Sequence, residues 1–262
     1  MNPKVSFLIS VRSNPGNFEN CISSMLSQTY ANFEIILILD SAHSSIEHIA
    51  NEFQDSRLKV IKNPEPKNLS RSLNFGLRYC SGEWIARMDA DDLCATNRLE
   101  RQVSFILEND PNFVLVGTNA LGLTKYDNSK PHQVLKTRDF YSDNPLIHPS
   151  IIVRRDVLEA LLYDERYKYS QDYHLWIRVI RFGGAAILNE NLITYDTRMR
   201  EPHYVLRQES FFLKANREFL VSNLFSKTSM EEKRIILRFI MKNVSRTLNL
   251  TRNYFRLAIG RF

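Results

Sequence analysis

Short, mostly apolar runs alternate with longer amphipathic stretches through the first third of the chain. The apolar runs, rich in β-branched side chains, cover residues 5–11, 33–39, 58–61 and 83–88. Runs of this length predict strands, and we expect those at residues 5–11, 33–39 and 83–88 to be buried. The stretches between them, residues 18–27, 45–53 and 69–79, space their apolar residues as a helix does. This alternation predicts βαβ units and therefore an α/β fold, with a mostly parallel central sheet flanked by helices.

The second half of the chain is less regular. We predict strands at residues 113–116 and 149–153, and helices at residues 97–109, 156–162 and 171–182. From residue 204 onward the pattern is helical. We therefore expect a body over residues 1–200, with halves of 1–102 and 103–200, followed by a helical extension over residues 201–262.

The composition is that of a folded domain. Apolar residues make up 44% and charged residues 24% of the 262 residues, which excludes a disordered chain. The three cysteines form no CxxC pair, so the sequence predicts neither a zinc site nor a disulfide framework and favours a reducing, cytoplasmic setting. We also expect no secretory signal, and no apolar run approaches the roughly 20 residues that span a bilayer.

Positive charge is concentrated towards the C-terminal end. The net charge is +6, but residues 198–262 hold 14 Lys or Arg against 5 Asp or Glu, whereas the preceding residues hold 21 against 24. Such a segment predicts an anionic partner, either a membrane surface or nucleic acid, or else a solvated face. Because no aromatic–basic stacking module accompanies it, we expect no nucleic-acid binding.

Within this basic segment, cationic residues recur every four positions, which predicts that they share one helix face. They are Arg234, Arg238, Lys242 and Arg246; further on, Arg252, Arg256 and Arg261 occur among aromatic and aliphatic residues. A basic amphipathic helix of this kind suits peripheral contact with an anionic membrane surface. A helical cap that packs on the body with its charges in water fits the same pattern, so both alternatives stay open.

Three carboxylates crowd into four residues directly after the fourth predicted strand: Asp89, Asp91 and Asp92. Like charges this close repel each other, and a bound divalent cation would relieve the repulsion. Carboxylate oxygens are ligands that Mg²⁺ and Mn²⁺ accept. The alternative is an exposed acidic turn that caps the next helix. Asp40 ends the second predicted strand, so a parallel sheet places it on the same rim as Asp89, where ligands bind.

Three longer blocks of sequence carry a resemblance to a known family. The first is VSFLISVRSN…SSMLSQTYANFEIILILD, from Val5 to Asp40; the second is LSRSLNFGLRYCSGEWIARMDADDLCATNRLERQ, from Leu69 to Gln102; the third is HPSIIVRRDVLE…YKYSQDYHLWIRV, which ends at Val179. In order and spacing, over most of residues 5–198, these blocks resemble the family-two inverting glycosyltransferases of GT-A fold. The resemblance implies a Rossmann-like GT-A sheet and sugar transfer from a nucleotide-sugar donor.

The resemblance assigns the acidic cluster to a D-x-D metal motif. Asp91 would be the direct ligand of Mn²⁺ or Mg²⁺, which bridges the donor pyrophosphate in that family. Asp89 would contact the ribose or the metal and its bound water. Such an ion stabilises the diphosphate leaving group as negative charge develops on it.

The nucleotide base is assigned to the ends of the first two strands. Asp40 matches the family carboxylate that recognises the base, and its ability to accept a hydrogen bond from uracil N3–H favours a UDP-sugar. Val11 and Arg12 would line the same base. Arg71 would contact the base or a phosphate, although a solvated helix arginine fits its pattern as well.

Asp172 matches the family's catalytic base, because inverting transfer needs one carboxylate to deprotonate the acceptor hydroxyl. Gln171 stands where that family usually has glutamate, and the resemblance puts both Gln171 and His148 on the acceptor side. Without the resemblance, Asp172 is typical of a helix N-terminus and His148 of a structural hydrogen-bond partner. The implied acceptor is a hydroxyl of a glycan or a lipid-linked sugar, in cell-surface polysaccharide biosynthesis at the cytoplasmic face of the membrane.

Two other function classes remain as alternatives. Nucleotidyl transfer also uses an acidic metal site on an α/β sheet, but it predicts a glycine-rich, lysine-bearing loop after the first strand. Residues 12–17 contain one glycine and no lysine. A catalytically inactive GT-A scaffold stays an alternative because of two departures from the family pattern, Leu39 before the base-binding aspartate and Gln171 before the proposed base.

Overall fold

A computed structural model describes residues 2–41, 44–65, 68–123, 130–196, 202–226 and 229–259, with the backbone alone for residues 44–45, 202–203 and 251–259. The strands within these ranges are β1 (Val5–Val11), β2 (Phe33–Leu39), β3 (Leu58–Lys62), β4 (Trp84–Met88), β5 (Leu93–Cys94), β6 (Phe113–Leu121), β7 (His132–Leu135), β8 (Ile152–Arg154) and β9 (Gly184–Thr194). The α-helices are α1 (Phe18–Leu26), α2 (Ser44–Glu52), α3 (Leu69–Leu77), α4 (Arg98–Glu108), α5 (Arg155–Leu161), α6 (Gln171–Val179), α7 (Pro202–Leu224) and α8 (Met230–Ile259).

The strands form one sheet in the order β3-β2-β1-β4-β8-β6-β9-β5, with β7 also paired to β9. The four strands from β3 to β4 are parallel, as the βαβ pattern predicts. Beyond them the sheet is mixed: β8 runs antiparallel to β4 and β6, while β6 and β9 are parallel. The regular half therefore ends at β4, next to the acidic cluster.

Successive side chains of the central strands enter two separate apolar layers, one on each face of the sheet. Phe7 and Ile9 pack in a layer with α1, α2 and α4, whereas Leu8 packs in a layer with α3, α5 and α6. The mostly apolar sequences of these strands result from this double burial. Helix α3 lies directly on the sheet at Gly76, where a Cβ atom would come within 2.7 Å of the Ile38 and Leu8 side chains.

The predicted elements of the first half are confirmed, and the differences lie in β5 and β7, which were not predicted, and in β8 and β9. The strand predicted at residues 149–153 is wrong at its start, because His148–Ser150 form a 3-10 turn and β8 begins at Ile152. In that turn Ser150 Oγ donates to the carbonyl of Ile147 (2.8 Å), and Pro149 has no N–H for a strand ladder. Strand β9, which pairs with three other strands, was not predicted from the sequence.

The C-terminal helices α7 and α8 pack on the body and on each other. Phe219 of α7 and Ile236 of α8 are buried in the apolar layer that contains α6. Asn243 of α8 donates to Oδ1 of Asn216 (2.6 Å), and Asn216 donates to the hydroxyl of Tyr173 on α6 (2.6 Å). Among the described helices, none combines the length and apolar character that crossing a membrane requires.

The prediction of one continuous cationic face on α8 is wrong at its last member. Arg234, Arg238 and Lys242 are exposed, but Arg246 turns towards α7 and pairs with Glu209 (2.7 Å). Each step of four residues advances about 40° around a helix, so three steps carry Arg246 about 120° away from Arg234. The side chains of Arg252, Arg256 and Arg261 lie outside the described residues.

Candidate active site

The carboxyl ends of β1, β2 and β4 form one rim of the sheet. Strand β1 pairs in parallel with both neighbours, with Val11 opposite Leu39 and Ile9 opposite Met88. Asp40 and Asp89 directly follow those neighbouring strands. The two carboxylates therefore emerge at the same edge, as the predicted topology requires.

Asp40 is buried, and both of its oxygens accept hydrogen bonds. Arg12 donates from Nε (3.1 Å) and Nη2 (2.8 Å) to Oδ2, while Asn63 donates from Nδ2 to Oδ1 (3.0 Å). The same Asn63 amide lies 3.2 Å from Ser72 Oγ. Since Arg12 is itself exposed, Asp40 anchors a guanidinium at the open rim of the sheet. Asn63 and Ser72 were not among the predicted site residues, and no sequence signal singles them out.

The other two residues predicted at the base lie nearby but make different contacts. Val11 is buried, and its carbonyl accepts a hydrogen bond from the Asp40 backbone N–H (2.8 Å). The Arg71 guanidinium forms an ion pair with Glu65, and the Arg71 backbone N–H is capped by Asn68 Oδ1 (2.9 Å). Arg71 is thus held at the start of α3 by an acidic neighbour that the sequence prediction did not consider.

The acidic cluster brings its three carboxylates together. One oxygen from each of Asp89, Asp91 and Asp92 lies within 4.8 Å of the others. Asp92 is buried, and its Oδ1 accepts a hydrogen bond from the backbone N–H of Asp196 (2.8 Å). Burial, followed by the charge of Asp89, raises the pKa of Asp92 to about 7. Bringing these groups together is therefore costly unless positive charge is nearby.

These residues fit a divalent cation. Their donor set consists of carboxylate oxygens, which hard cations prefer. Oδ2 of Asp92 is buried, and no hydrogen-bond donor for it is found among the described residues. An oxygen of this kind needs a partner, and an ion between the three carboxylates would supply one.

Two buried arginines lie beneath the acidic cluster. Arg87 forms an ion pair with Asp89 and donates to the carbonyl of Leu8 (3.3 Å). Arg98 is fully buried and donates from Nη2 to the carbonyls of Arg87 (3.0 Å) and Ile151 (3.1 Å). Burial lowers the pKa of Arg98 to about 10, and the guanidinium stays charged at neutral pH. These two cations offset part of the repulsion among the carboxylates above them.

Sequence reasoning missed Arg98 as a site residue, although a signal for it exists. On α4 the buried positions include Arg98 and Gln102 together with Leu99 and Val103. Arg98 Nε donates to Gln102 Oε1 (3.2 Å), and Gln102 donates to the carbonyls of Val116 and Ser150. Polar residues at i and i+4 inside the apolar stripe of a helix indicate such a buried network.

A cleft of about 440 Å³ opens beside the acidic cluster. Its lining includes Asp89 and Asp91 from the end of β4, and Asp172 and Gln171 from the start of α6. Ser170, which has a left-handed backbone (φ 50°), precedes Gln171. Asn144 donates from Nδ2 to Asp172 Oδ2 (2.8 Å). The structure thus brings the predicted metal ligands and the predicted base to one cavity.

His148 lies in the same cleft lining and has a hydrogen-bond partner of its own. Its Nε2 lies 2.9 Å from the hydroxyl of Tyr163, and its ring is 5.9 Å from the ring of Trp176. Burial, followed by the positive charge of Arg87, lowers the pKa of His148 to about 4. The imidazole is therefore neutral at pH 7. Val11, Arg12, Asp40 and Arg71 are not part of this lining as far as the described residues define it.

One wall of the cleft comes from the C-terminal extension. Residues of α7 contribute to it, namely Tyr204, Val205, Gln208, Glu209 and Phe212. Arg246 of α8 supports this wall, because it pairs with Glu209 and donates to the carbonyl of Ser142 (3.0 Å). None of these residues was predicted as a site residue, since their pattern indicates only a basic amphipathic helix.

Comparison with known proteins gives a family match over the N-terminal part of the chain. The family model described as glycosyl transferase family 2 matches residues 6–162. The amylovoran biosynthesis glycosyltransferase AmsE of Erwinia amylovora is 32% identical over 189 residues, covering 68% of this chain and 70% of that protein. The UDP-Glc:alpha-D-GlcNAc-diphosphoundecaprenol beta-1,3-glucosyltransferase WfgD of Escherichia coli is 27% identical over 202 residues, covering 74% of this chain and 78% of that protein.

Solved structures match over a longer stretch. S. aureus TarS in complex with UDP-GlcNAc superposes with a TM-score of 0.73 at 16% identity, covering 92% of this chain and 72% of that one. The mannosyltransferase PcManGT of Pyrobaculum calidifontis, in complex with GDP-Man and Mn²⁺, gives a TM-score of 0.67 at 16% identity, covering 91% of this chain and 69% of that one. These likenesses concern the fold, and they confirm the predicted GT-A class with its C-terminal helices.

Proposed function

This chain belongs to glycosyl transferase family 2, and from that premise we propose that it transfers a sugar from a UDP-sugar to a hydroxyl of a glycan or lipid-linked acceptor. The reaction proposed is a single displacement with inversion at the anomeric carbon. One observation carries the proposal: Asp89, Asp91 and Asp172 line the same cleft. A leaving-group site and a base on one cavity are what such a displacement requires.

The donor half of the proposal rests on the acidic cluster. Asp91, with Asp89, would hold Mn²⁺ or Mg²⁺, and a bound ion of this kind supplies positive charge to a departing diphosphate. Asp92 contributes a buried carboxylate at the base of the cluster, where its bond from the Asp196 backbone fixes the loop. PcManGT contains Mn²⁺ in its complex with GDP-Man, which supports a metal site at this rim of the fold.

The acceptor half rests on Asp172. As the acceptor oxygen forms its bond to the anomeric carbon, Asp172 takes the hydroxyl proton and the bond from that carbon to the diphosphate breaks. The Asn144 amide orients the carboxylate for this step. Gln171 and His148 line the same part of the cleft. We assign them to acceptor binding, His148 as a neutral group held by Tyr163.

The nucleotide base is assigned to the rim at Asp40. Oδ2 of Asp40 already accepts two hydrogen bonds from Arg12, whereas Oδ1 accepts one from Asn63 and has a second lone pair for a base N–H. Arg12 and Val11 would border the base, and Arg71 would approach it from α3. The UDP-GlcNAc bound by TarS supports a UDP-sugar, whereas the GDP-Man bound by PcManGT shows that neighbours of this fold differ in the base.

The acceptor class is supported by the relatives. The name of WfgD describes glucosyl transfer to a sugar linked to diphosphoundecaprenol, and that of AmsE places it in amylovoran biosynthesis. We therefore propose a lipid-linked glycan intermediate of a cell-surface polysaccharide as acceptor. The location at the cytoplasmic face of the membrane stays a prediction.

A donor screen followed by product analysis tests this function. UDP- and GDP-sugars are offered with and without Mn²⁺, and a synthetic polyprenyl-diphosphate monosaccharide serves as acceptor. We expect metal-dependent release of UDP with one UDP-sugar, and the anomeric coupling constant of the product should show inversion. Asp172→Asn should abolish transfer but retain donor binding, whereas Asp156→Asn, an exposed carboxylate of α5, should behave as wild type. Donor binding without transfer under all conditions would instead support the inactive scaffold.

A further inference from the structure

A stripe of exposed apolar side chains runs along the outward side of α8. Its members, with the exposed fraction of each, are Met230 (70%), Leu237 (48%), Met241 (69%), Val244 (46%) and Leu248 (60%). At 100° per residue they occupy about 60° of the helix circumference, and at 1.5 Å per residue they extend over about 27 Å. Single exposed apolar residues are ordinary, but an aligned row of five marks an interaction surface.

The cations of α8 border this stripe. Arg234, Arg238 and Lys242 are exposed and follow the apolar row on the adjoining part of the circumference. The first turn of α8 holds Glu231 and Glu232, and from residue 233 to residue 250 the helix carries no Asp or Glu. The opposite side, which contains Ile236, Asn243 and Leu250, is buried against the rest of the protein. The outward side of α8 is therefore half apolar and half cationic.

We propose that this outward face of α8 docks on an anionic lipid bilayer. A helix lying in the plane of the interface buries its apolar row at the boundary of the acyl chains and keeps its cations among the headgroups. The charge of the face complements an anionic surface and opposes a cationic one. Phe225, the residue after α7, is exposed as well.

Docking would act on α8, which is joined by Arg246 to α7, the helix that lines the cleft. Arg246 projects from the inward side of α8 to Glu209 of the cleft wall, and Leu248 belongs to the docking stripe two residues later. One helix diameter, about 10 Å, therefore separates the docking face from a residue that supports the cleft. The surface lies outside the proposed chemistry, so its test needs neither donor nor acceptor.

Vesicle flotation of the full-length chain tests the docking face. The vesicles are equimolar phosphatidylglycerol and phosphatidylcholine, or phosphatidylcholine alone. We expect binding to the anionic vesicles only. Arg234→Gln, Arg238→Gln and Lys242→Gln together should weaken it about a hundredfold, since each cation adds to the affinity for an anionic surface. Leu237→Gln, Met241→Gln and Leu248→Gln together should weaken it at least tenfold.

Matched variants on the body separate this effect from general changes in charge or hydrophobicity. Arg78→Gln, Arg138→Gln and Lys168→Gln remove three exposed cations elsewhere. Leu107→Gln, Val134→Gln and Phe182→Gln remove apolar side chains of similar exposure, at 54%, 49% and 52%. Both sets should bind vesicles as wild type does. Unchanged thermal unfolding of the α8 variants would show that they fold.

Three results would overturn the proposal. The first is that wild type does not float with anionic vesicles. The second is that the α8 variants and the body variants lose binding equally. The third is a dimeric wild type and a monomeric α8 apolar variant in sedimentation velocity, with no vesicle binding by either protein. That result would mean that a second copy of the chain covers this face.

Discussion

Asn144 donates a hydrogen bond of 2.8 Å to Asp172, 28 residues further along the chain, and so orients the carboxylate that we propose as the base. We expect Asn144→Ala to lower kcat about tenfold or more, because a hydrogen bond to a charged group is worth about 1.5–3 kcal/mol. The KM for the donor should not change, since the acidic cluster is untouched. Steady-state kinetics with donor and acceptor varied separately measure both effects.

The control is Asn109→Ala, which removes an exposed asparagine at the end of α4. It should leave both constants as in wild type. If Asn144→Ala raised the donor KM at unchanged kcat, Asn144 would belong to the donor site and its role in positioning the base would be wrong.

Asp91 lies in the carboxylate cluster that fits a cation. Its replacement should therefore remove the part of UDP binding that depends on the metal ion. With UDP and Mn²⁺ each at about 100 times its dissociation constant, binding should stabilise the wild-type protein by about 2.7 kcal/mol, which raises Tm by about 5–10 °C. We expect Asp91→Asn to lose most of this shift in a thermal unfolding assay. Asp143→Asn, a carboxylate elsewhere in the cleft lining, should keep it. Equal shifts in the two variants would remove Asp91 from the metal site.

Arg98 and Arg101 lie on the same helix, α4, in opposite environments. Arg98 is fully buried and donates to two carbonyls and to Gln102, whereas Arg101 is exposed and pairs with Glu190 (2.8 Å). We expect Arg98→Met to lower the free energy of unfolding by about 2–4 kcal/mol, because it leaves buried acceptors without donors. Arg101→Met should cost about 1 kcal/mol or less. Urea denaturation measures both, and similar losses would mean that the Arg98 network contributes little.

The family and the GT-A fold could be predicted from the sequence, because both depend on local patterns. Strands β1, β2 and β4 are short, mostly apolar runs, and parallel pairing then fixes Asp40 and Asp89 on one rim. Strand β9 could not be predicted in the same way. Its sequence, GAAILNENLIT, has small residues at one end and a polar interruption in the middle, where its pairing with β6 shifts register. Strand β9 is stabilised by pairing with strands that are distant in sequence, and its local strand propensity contributes little.

The residues of the candidate site differ in the same way in how far the sequence predicts them. Residues at strand ends follow from topology, whereas contacts between distant irregular segments do not. The bond from Asn144 to Asp172 and the ion pair from Arg246 to Glu209 join segments far apart in sequence. The ion pair between Arg246 and Glu209 reaches the cleft only because α7 and α8 pack on the body. No periodicity reports such contacts, and the four-residue repeat even suggested a different face for Arg246.

Glu34, at the start of β2, gives the fold a dependence on pH. It is buried and accepts hydrogen bonds from Lys59 (2.8 Å), Ser6 (2.7 Å) and the Ser81 backbone (2.7 Å). Burial alone would raise the pKa of Glu34, but these bonds hold it well below its ordinary value of 4.5. The stabilisation is therefore complete above about pH 4.5 and is lost as the pH falls below it.

We expect Glu34→Gln to lower the free energy of unfolding at pH 7 by about 2 kcal/mol or more, because it removes charge-assisted bonds in a buried site. Urea denaturation from pH 7 to pH 3 should show the deficit shrinking below pH 4.5. Glu47→Gln, which breaks the exposed ion pair with Lys62, is the control and should cost about 1 kcal/mol or less. A deficit that is constant with pH would mean that the Glu34 charge is not the stabilising feature.

Arg246 should affect the acceptor without affecting the donor. It pairs with Glu209 of the cleft wall and donates to the carbonyl of Ser142, which precedes Asp143 of the lining, and neither partner lies in the acidic cluster. We expect Arg246→Met to raise the KM for the acceptor about three- to tenfold, the cost of one partly exposed ion pair and one hydrogen bond. The donor KM should stay constant, Arg246→Lys should restore part of the loss, and Arg217→Met on the exposed side of α7 should have no effect. A change of the same size in the donor KM would mean that α8 supports the whole cleft. An unchanged acceptor KM would mean that the C-terminal wall of the cleft does not contribute to acceptor binding.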